Sequence, residues 1–181
     1  MKILITGAAG FIGFFLTKEL IKTGHNVIGL DNLNEYYPVQ LKLDRLSKKG
    51  IEISKIEYGS FLESLNFDNY KFIQADLTDK EFIDSLFSNE SFDLIINLAA
   101  QAGVRYSIEN PGVYVSSNIV GFSNILDASV KTSVKFLLYA SSSSVYGNND
   151  KIPFSEDDEV RSPASVYAAT KLADELLAVT Y

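Results

Sequence analysis

The chain has 181 residues, 46% hydrophobic and 22% charged, enough apolar matter for one sizeable core and too much for a disordered chain. A formal net charge of −7 with no compensating basic patch argues against nucleic acid or an anionic membrane as a partner. No cysteine means no disulfide and no thiolate metal site, and the single histidine excludes a multi-histidine metal site, so no metal is expected.

From the N-terminus, Lys2 to Thr6 is an apolar run of strand length that breaks at Gly7. Gly7, Gly10 and Gly13 then fall three apart, and the apolar periodicity from Phe11 to Ile21 predicts a helix. A strand, a tight glycine turn and a helix aim backbone N–H groups at an anion, usually a pyrophosphate. The turn Gly24-His25-Asn26 follows, where His25 reads as solvent-exposed, and then a second strand, Asn26 to Leu30, ending at Asp31. An acidic residue about 20 positions beyond the glycines is where a dinucleotide fold bonds the adenosine ribose hydroxyls. A carboxylate there repels a 2′-phosphate, so NAD is favoured over NADP. The spacing is GxxGxxG, not GxGxxG, and the absence of GK[ST] excludes an ATP-type P-loop.

A polar, aromatic loop, Asn32 to Pro38, leads to a short helix over Val39 to Lys48. The lysine-rich piece Lys42 to Lys49, which contains Asp44, reads as a solvated helix face. Gly50 to Asn69 lacks clean periodicity and looks like an excursion from the sheet edge. Tyr70 to Ala75 is the third predicted strand, ending at Asp76-Leu77; Thr78 then caps a helix, with Glu81 completing a capping box. Phe82, Ile83, Leu86 and Phe87 give that helix its buried stripe. Asp93 to Asn97 is the fourth strand, and the small residues Ala99 and Ala100 after it permit close approach of a cofactor. Gln101 to Asn110 reads as a loop, and Pro111 opens a helix running to about Lys131. Lys135 to Ala140 is the fifth strand, followed by four serines, Ser141 to Ser144, a loop from Val145 to Ser162 and a last helix from Ser165.

Strands alternating with helices predict an α/β fold with a doubly wound parallel sheet, whose ligands bind beyond the carboxyl ends of the strands. One site would collect the Gly7 turn, Asp31, Asp76, Asn97 and the four serines. No apolar run approaches the roughly 20 residues that cross a membrane, and no signal peptide is visible, so a soluble, cytoplasmic protein is expected.

Tyr167 and Lys171, four apart, share a face of the last helix. An ammonium beside a phenol favours the phenolate and suits it to act as a general base, although such a pair also occurs with a purely structural role. The serines after the fifth strand could bond the hydroxyl that such a base deprotonates.

The stretches T-G-A-A-G-F-I-G (Thr6 to Gly13), L-D-N-L-N (Leu30 to Asn34), A-D-L-T-D (Ala75 to Asp79), N-L-A-A-Q-A-G-V-R-Y-S-I-E-N-P (Asn97 to Pro111), S-S-S-S-V-Y-G (Ser141 to Gly147) and Y-A-A-T-K (Tyr167 to Lys171) occur in this order. Together they resemble the extended short-chain dehydrogenase/reductase family, and within it the NAD-dependent nucleotide-sugar epimerases. The piece from Ala99 to Pro111, with N-E-Y-Y after Asp31, looks most like the UDP-glucuronate 4-epimerase group.

That resemblance implies a Rossmann-type fold and a set of roles. Gly7, Gly10, Phe11, Ile12 and Gly13 would hold the pyrophosphate of NAD, Asp31 and Asn32 the adenosine ribose, and Asp76 and Leu77 would flank the adenine. Ala99 and Ala100 would line the dinucleotide, with Asn118 touching it or supporting a residue that does. Tyr167 would be the base, Lys171 would also bond the nicotinamide ribose, and Ser142 matches the family's catalytic Ser/Thr. Ser142, Ser143 and Arg105 would meet the UDP-sugar, with a surface ion pair the competing reading of Arg105.

The implied reaction takes the C4 hydroxyl proton through Tyr167 while hydride passes to NAD, and a 4-keto sugar rotates before reduction on its other face. Related dehydratases carry Thr-Asp-Glu where this chain has Ser142, Ser143 and Ser144, so an epimerase is favoured. Family members continue beyond the Tyr-Lys helix with further strands and a part that binds the UDP-sugar. The expectation is therefore an NAD-binding domain over 1–181, truncated after that helix, with the C-terminal substrate-binding part absent. A catalytically silent NAD-binding module, another nucleotide-sugar epimerase or dehydratase and a net dehydrogenase remain alternatives. By analogy with the family, the segments 111–131 and 165–181 would form a homodimer face.

Overall fold

The computed structural model describes residues 1–181. Its sheet has six strands: β1 (Lys2–Thr6), β2 (Asn26–Asp31), β3 (Phe61–Glu63), β4 (Tyr70–Gln74), β5 (Leu94–Asn97) and β6 (Phe136–Tyr139), in the order β3-β4-β2-β1-β5-β6. All neighbours are parallel except β3 and β4. The helices are α1 (Phe11–Lys22), α2 (Val39–Lys48), α3 (Lys80–Asn89), α4 (Val104–Glu109), α5 (Pro111–Tyr114), α6 (Gly121–Lys131) and α7 (Val166–Thr180).

Alternation along β1 explains the two-faced core. Leu4 packs with Ile28, Ile73, Ile83, Phe87 and Ile125 on one face of the sheet. Its neighbours Ile3 and Ile5 point the other way, to Ile21, Val27, Leu46 and Phe72. This is the doubly wound arrangement predicted from the strand–helix alternation. Thr6 lies opposite Leu30 in β2 and Asn97 in β5, so three strands end together and their loops open on the same edge.

Several expectations are corrected. The excursion from Gly50 to Asn69 includes β3, an antiparallel edge strand too short and too exposed to show a pattern. The loop expected at Gln101 to Asn110 holds α4, which begins after Gly103 turns the chain at φ 101°. The helix expected from Pro111 to Lys131 is interrupted by a π-helical stretch, Val115–Val120, whose wider turn shifts the faces of α5 and α6. Asp79, not Thr78, caps α3: its carboxylate accepts from the Phe82 N–H at 3.1 Å, while the Thr78 hydroxyl donates to Asp76. His25 is half-buried.

The largest correction concerns Lys42 to Lys49. Asp44, Ser47 and Lys48 do face solvent, but Lys42 and Lys49 are 4% and 2% exposed, and both ammonium groups reach acceptors inside the protein. No helix is long and apolar enough to cross a membrane.

Candidate functional site

The glycine turn joins β1 to α1 through a close backbone fold. Gly7 has φ +69°, and a Cβ there would lie 2.9 Å from the Ala99 nitrogen; a Cβ on Gly13 would run into the Gly7 carbonyl oxygen. The Gly10 N–H donates to that same oxygen at 2.9 Å. Gly10 is also the N-cap of α1 and supplies no side-chain acceptor, so the first turn of α1, Phe11 to Gly13, has no side-chain cap. Phe11 and Ile12 are 68% and 64% exposed. A helix start left open in this way fits an anion such as a pyrophosphate.

Asp31 closes β2 beneath this turn and is 4% exposed. It accepts from the Ala9 N–H at 3.2 Å, the Leu33 N–H at 2.9 Å and the Lys42 ammonium at 3.1 Å. Lys42 also reaches the Asn34 side-chain oxygen at 3.0 Å. One face of α2 thus neutralises the carboxylate that the sequence singled out. Next to it, Asn32 donates to Asp76 at 2.8 Å, and Thr78 donates to Asp76 through its N–H and its hydroxyl. Partial burial pushes the Asp76 carboxyl up, but these hydrogen bonds outweigh it and hold Asp76 below the usual carboxylate range.

Gly7, Asp31, Asn32, Asp76, Leu77, Ala99 and Ala100 line one cavity at the carboxyl edge of the sheet. The same cavity is lined by Tyr36, Tyr37, Lys42 and Gln101, which the sequence reading missed. Asn97 and the four serines do not line it. Asn97 instead turns into the sheet and accepts from the Thr6 hydroxyl at 2.6 Å, and that hydroxyl in turn accepts from the Ala99 N–H. The residues fit a dinucleotide: an open helix N-terminus, a carboxylate at the end of β2 and small side chains after β5.

Asn118 lies in the π-helical stretch and is 1% exposed. It accepts from the Gln101 N–H at 2.7 Å and donates to the Gln101 carbonyl and the Thr170 hydroxyl. Its polar atoms are spent on bracing the loop after β5 against α7. Tyr114, fully buried, lies within 2.6–2.7 Å of the Ala102 and Gly103 carbonyls and edge-on to Tyr167, with ring centroids 6.1 Å apart. A row of rings continues from Tyr114 through Tyr106 to Tyr36, whose hydroxyl occupies the space that a Cβ on Gly103 would need.

Tyr167 and Lys171 are on α7, which starts at the Ser165 cap. The Lys171 ammonium donates to Asp174 at 2.6 Å and not to Tyr167. Burial pushes the Asp174 carboxyl up, partly offset by this bond. Ser142 caps a single turn of 3₁₀ helix, Ser143–Tyr146, and accepts from the Ser144 N–H at 3.2 Å. That turn packs against α7, which brings the serines to the tyrosine helix; Ser143 is exposed, and Ser141 is bonded to Glu175. Arg105, on α4, is exposed and joins no ion pair, so the ion-pair reading is not the one observed.

Comparison with known proteins agrees with this geometry. The model of the NAD dependent epimerase/dehydratase family matches residues 3–181, and the chain belongs to that family. It is 50% identical to Protein CapI of Staphylococcus aureus, covering 100% of this chain and 49% of that protein. It is 44% identical to a probable UDP-glucuronate 4-epimerase of Rhizobium meliloti (strain 1021), again over 100% of this chain and 49% of the relative. Among solved structures, the UDP-glucose 4-epimerase of Thermus thermophilus in complex with NAD superposes with a TM-score of 0.77 at 29% identity, covering 100% of this chain and 50% of that one. The chain therefore spans about half the length of these relatives.

Proposed function

We propose that this member of the family is the NAD-binding and catalytic part of a nucleotide-sugar 4-epimerase, and that it interconverts UDP-glucuronate and UDP-galacturonate. The observation that carries the reading is the cavity shared by Gly7, the buried Asp31 and the loop after β5, with the helix bearing Tyr167 and Lys171 tied to that loop through Asn118, which bonds both Gln101 and Thr170. Glucuronate is chosen because the Rhizobium meliloti relative carries that name.

In this reading Gly7, Gly10, Phe11, Ile12 and Gly13 hold the pyrophosphate, Asp31 and Asn32 the adenosine ribose, and Asp76 and Leu77 the adenine edge. NAD, when bound, supplies the acceptor and donor of hydride at C4 of the sugar. The Tyr167 phenolate takes the C4 hydroxyl proton and later returns it, and the Ser142 hydroxyl orients that C4 oxygen. Lys171 keeps positive charge beside the phenolate and bonds the nicotinamide ribose. Ser143 and the exposed Arg105 meet polar and anionic parts of the sugar. No acid stands at Ser142 to Ser144 to expel water, which favours epimerisation over dehydration.

Two further elements belong to the proposal. The UDP-sugar is gripped by sequence beyond these 181 residues, as the half-length coverage of the relatives supports. Val113 and Val120 on one segment and Leu176 and Val179 on α7 are exposed, which supports pairing of two copies through these helices; sedimentation velocity checks it.

A silent NAD-binding module is the second reading, favoured by the Lys171–Asp174 pair, in which the ammonium bonds a carboxylate and not Tyr167. Mass spectrometry of the denatured protein, with released small molecules analysed beside the chain, tests cofactor retention. Conversion of UDP-glucuronate, assayed on a chain of the relatives' full length that contains these 181 residues, then separates the readings. Tyr167→Phe should abolish turnover and spare NAD binding; retained turnover removes the proposed base.

A further inference from the structure

Helix α2 turns three cations toward the glycine turn. Lys42, Arg45 and Lys49 fall three and four residues apart, which is one helical face. Lys42 pairs with Asp31, Arg45 donates to the Ala9 carbonyl at 3.1 Å, and Lys49, the residue that closes the helix, donates to the Ala8 carbonyl at 3.0 Å. Ala8 and Ala9 are themselves fully buried. The face that supplies these donors therefore lies directly against the turn that would grip a phosphate.

Lys49 differs from the other two. It is 2% exposed, and one carbonyl is the sole hydrogen-bond acceptor for its three N–H donors. Its nitrogen lies 5.3 Å from the ring centroid of Phe14, on α1, and 5.0 Å from that of Tyr70, on β4. No carboxylate touches it. The charged and titratable groups that face it are Asp31 from β2, Arg45 from its own helix and the Tyr70 hydroxyl, which is buried without a hydrogen-bond partner. Phe14 adds no charge. The carbonyl end of α2 and the two ring faces favour the ammonium, while burial opposes it.

We propose that Lys49 is a further determinant of dinucleotide affinity: its positive charge, held against the carbonyl side of the glycine turn, strengthens the turn's hold on a pyrophosphate, so cofactor binding takes up a proton. The inference rests on the NAD reading given above. Geometry supplies the coupling, and titration supplies its range. Burial, opposed by Asp31 and helped by Arg45, brings Lys49 down to about 7. The charge is then half present near neutrality. A pyrophosphate bound at the turn favours the charged form and raises the midpoint. By linkage, affinity is highest below the midpoint of the free protein and falls as pH rises through both midpoints, by about tenfold in all for each unit by which the bound pyrophosphate raises the midpoint.

The test measures NAD affinity of the 181-residue chain by calorimetry from about pH 6 to about pH 9, a range spanning both midpoints, for wild type and Lys49→Met. In parallel, the lysine Cε resonances are titrated by NMR with and without NAD. Wild type should bind about tenfold more weakly at the upper end, Lys49→Met should show no such fall, and NAD should move the Lys49 midpoint up by about one unit. Wild-type affinity that does not change with pH, or an equal fall in Lys49→Met, overturns the proposal. Should Lys49→Met not fold, the wild-type resonance decides: a midpoint unmoved by NAD overturns it. No NAD binding at any pH would refute the cofactor reading as well, an outcome distinct from pH-independent binding.

Discussion

Replacing Asp31 with alanine strips three partners at once, the N–H groups of Ala9 and Leu33 and the ammonium of Lys42. Lys42 is then left 4% exposed with only the Asn34 oxygen, at 3.0 Å, as acceptor. Removing one partner of a buried ion pair costs about 3–5 kcal/mol, because the remaining charge is uncompensated. Lys42→Met should cost less, about 1–3 kcal/mol, since the Asp31 carboxylate keeps two backbone donors. The double variant carries no stranded charge, so its loss should fall short of the sum of the singles by about 2 kcal/mol. Urea unfolding followed by far-UV circular dichroism, with slopes compared to exclude a change in the unfolded state, measures all four species. An Asp31→Ala cost under about 1 kcal/mol, or additivity within about 0.5 kcal/mol, would refute the buried-pair account. NAD affinity gives an independent readout. It should be weak in Asp31→Ala and in the double variant alike, because the proposed ribose acceptor is absent from both.

Three other outcomes follow from the same geometry. Gly13→Ala places a Cβ against the Gly7 carbonyl oxygen and within 3.0 Å of the Ala8 Cα, backbone atoms that cannot rotate away. It should cost about 1–3 kcal/mol and weaken NAD, and a melting temperature and affinity equal to wild type would remove the tight-turn argument. Asn118→Ala leaves the Gln101 N–H and carbonyl and the Thr170 hydroxyl without their buried partner, a loss of about 2–3 kcal/mol. Amide exchange at Gln101 should quicken, and unchanged protection there would show that the brace is dispensable. For stability against pH, Lys49 has a folded-state value of about 7 against an ordinary 10.5, so the folded chain binds fewer protons than the unfolded chain between the two. Stability should therefore rise from pH 7 toward 10.5 by as much as about 5 kcal/mol more in wild type than in Lys49→Met; parallel profiles would contradict the buried cation.

Five of the six strands were legible because each is a short apolar run closed by Gly7, Asp31, Asp76, the Leu98-Ala99-Ala100 segment or the serines; the exposed three-residue β3 carries no such run. Most of the candidate site was legible for the same reason, since its residues sit at those ends. What could not be read depends on contacts from distant segments. Helix α4 is six residues long and needs the left-handed Gly103, with the Tyr36 hydroxyl above it, to begin. The serines stand on α7 and apart from the main cavity because a 3₁₀ turn carries them there, and no periodicity announces that turn.

The misreading of Lys42, Arg45 and Lys49 has a more general cause. Cations at helical spacing look alike whether they face water or a set of acceptors, so the deciding information lies on the opposite side of the contact. The glycine turn contains it. A chain that doubles back at Gly7 to Gly13 leaves the Ala8 and Ala9 carbonyls on its inner side, outside both the strand ladder and the helix. Buried carbonyls need donors. The helix after β2 packs against that inner side and supplies two of them from one face, while the same face neutralises Asp31. Arg45 and Lys49 are thus a consequence of how the turn is built: a turn that buries the Ala8 and Ala9 carbonyls must satisfy them from within the protein.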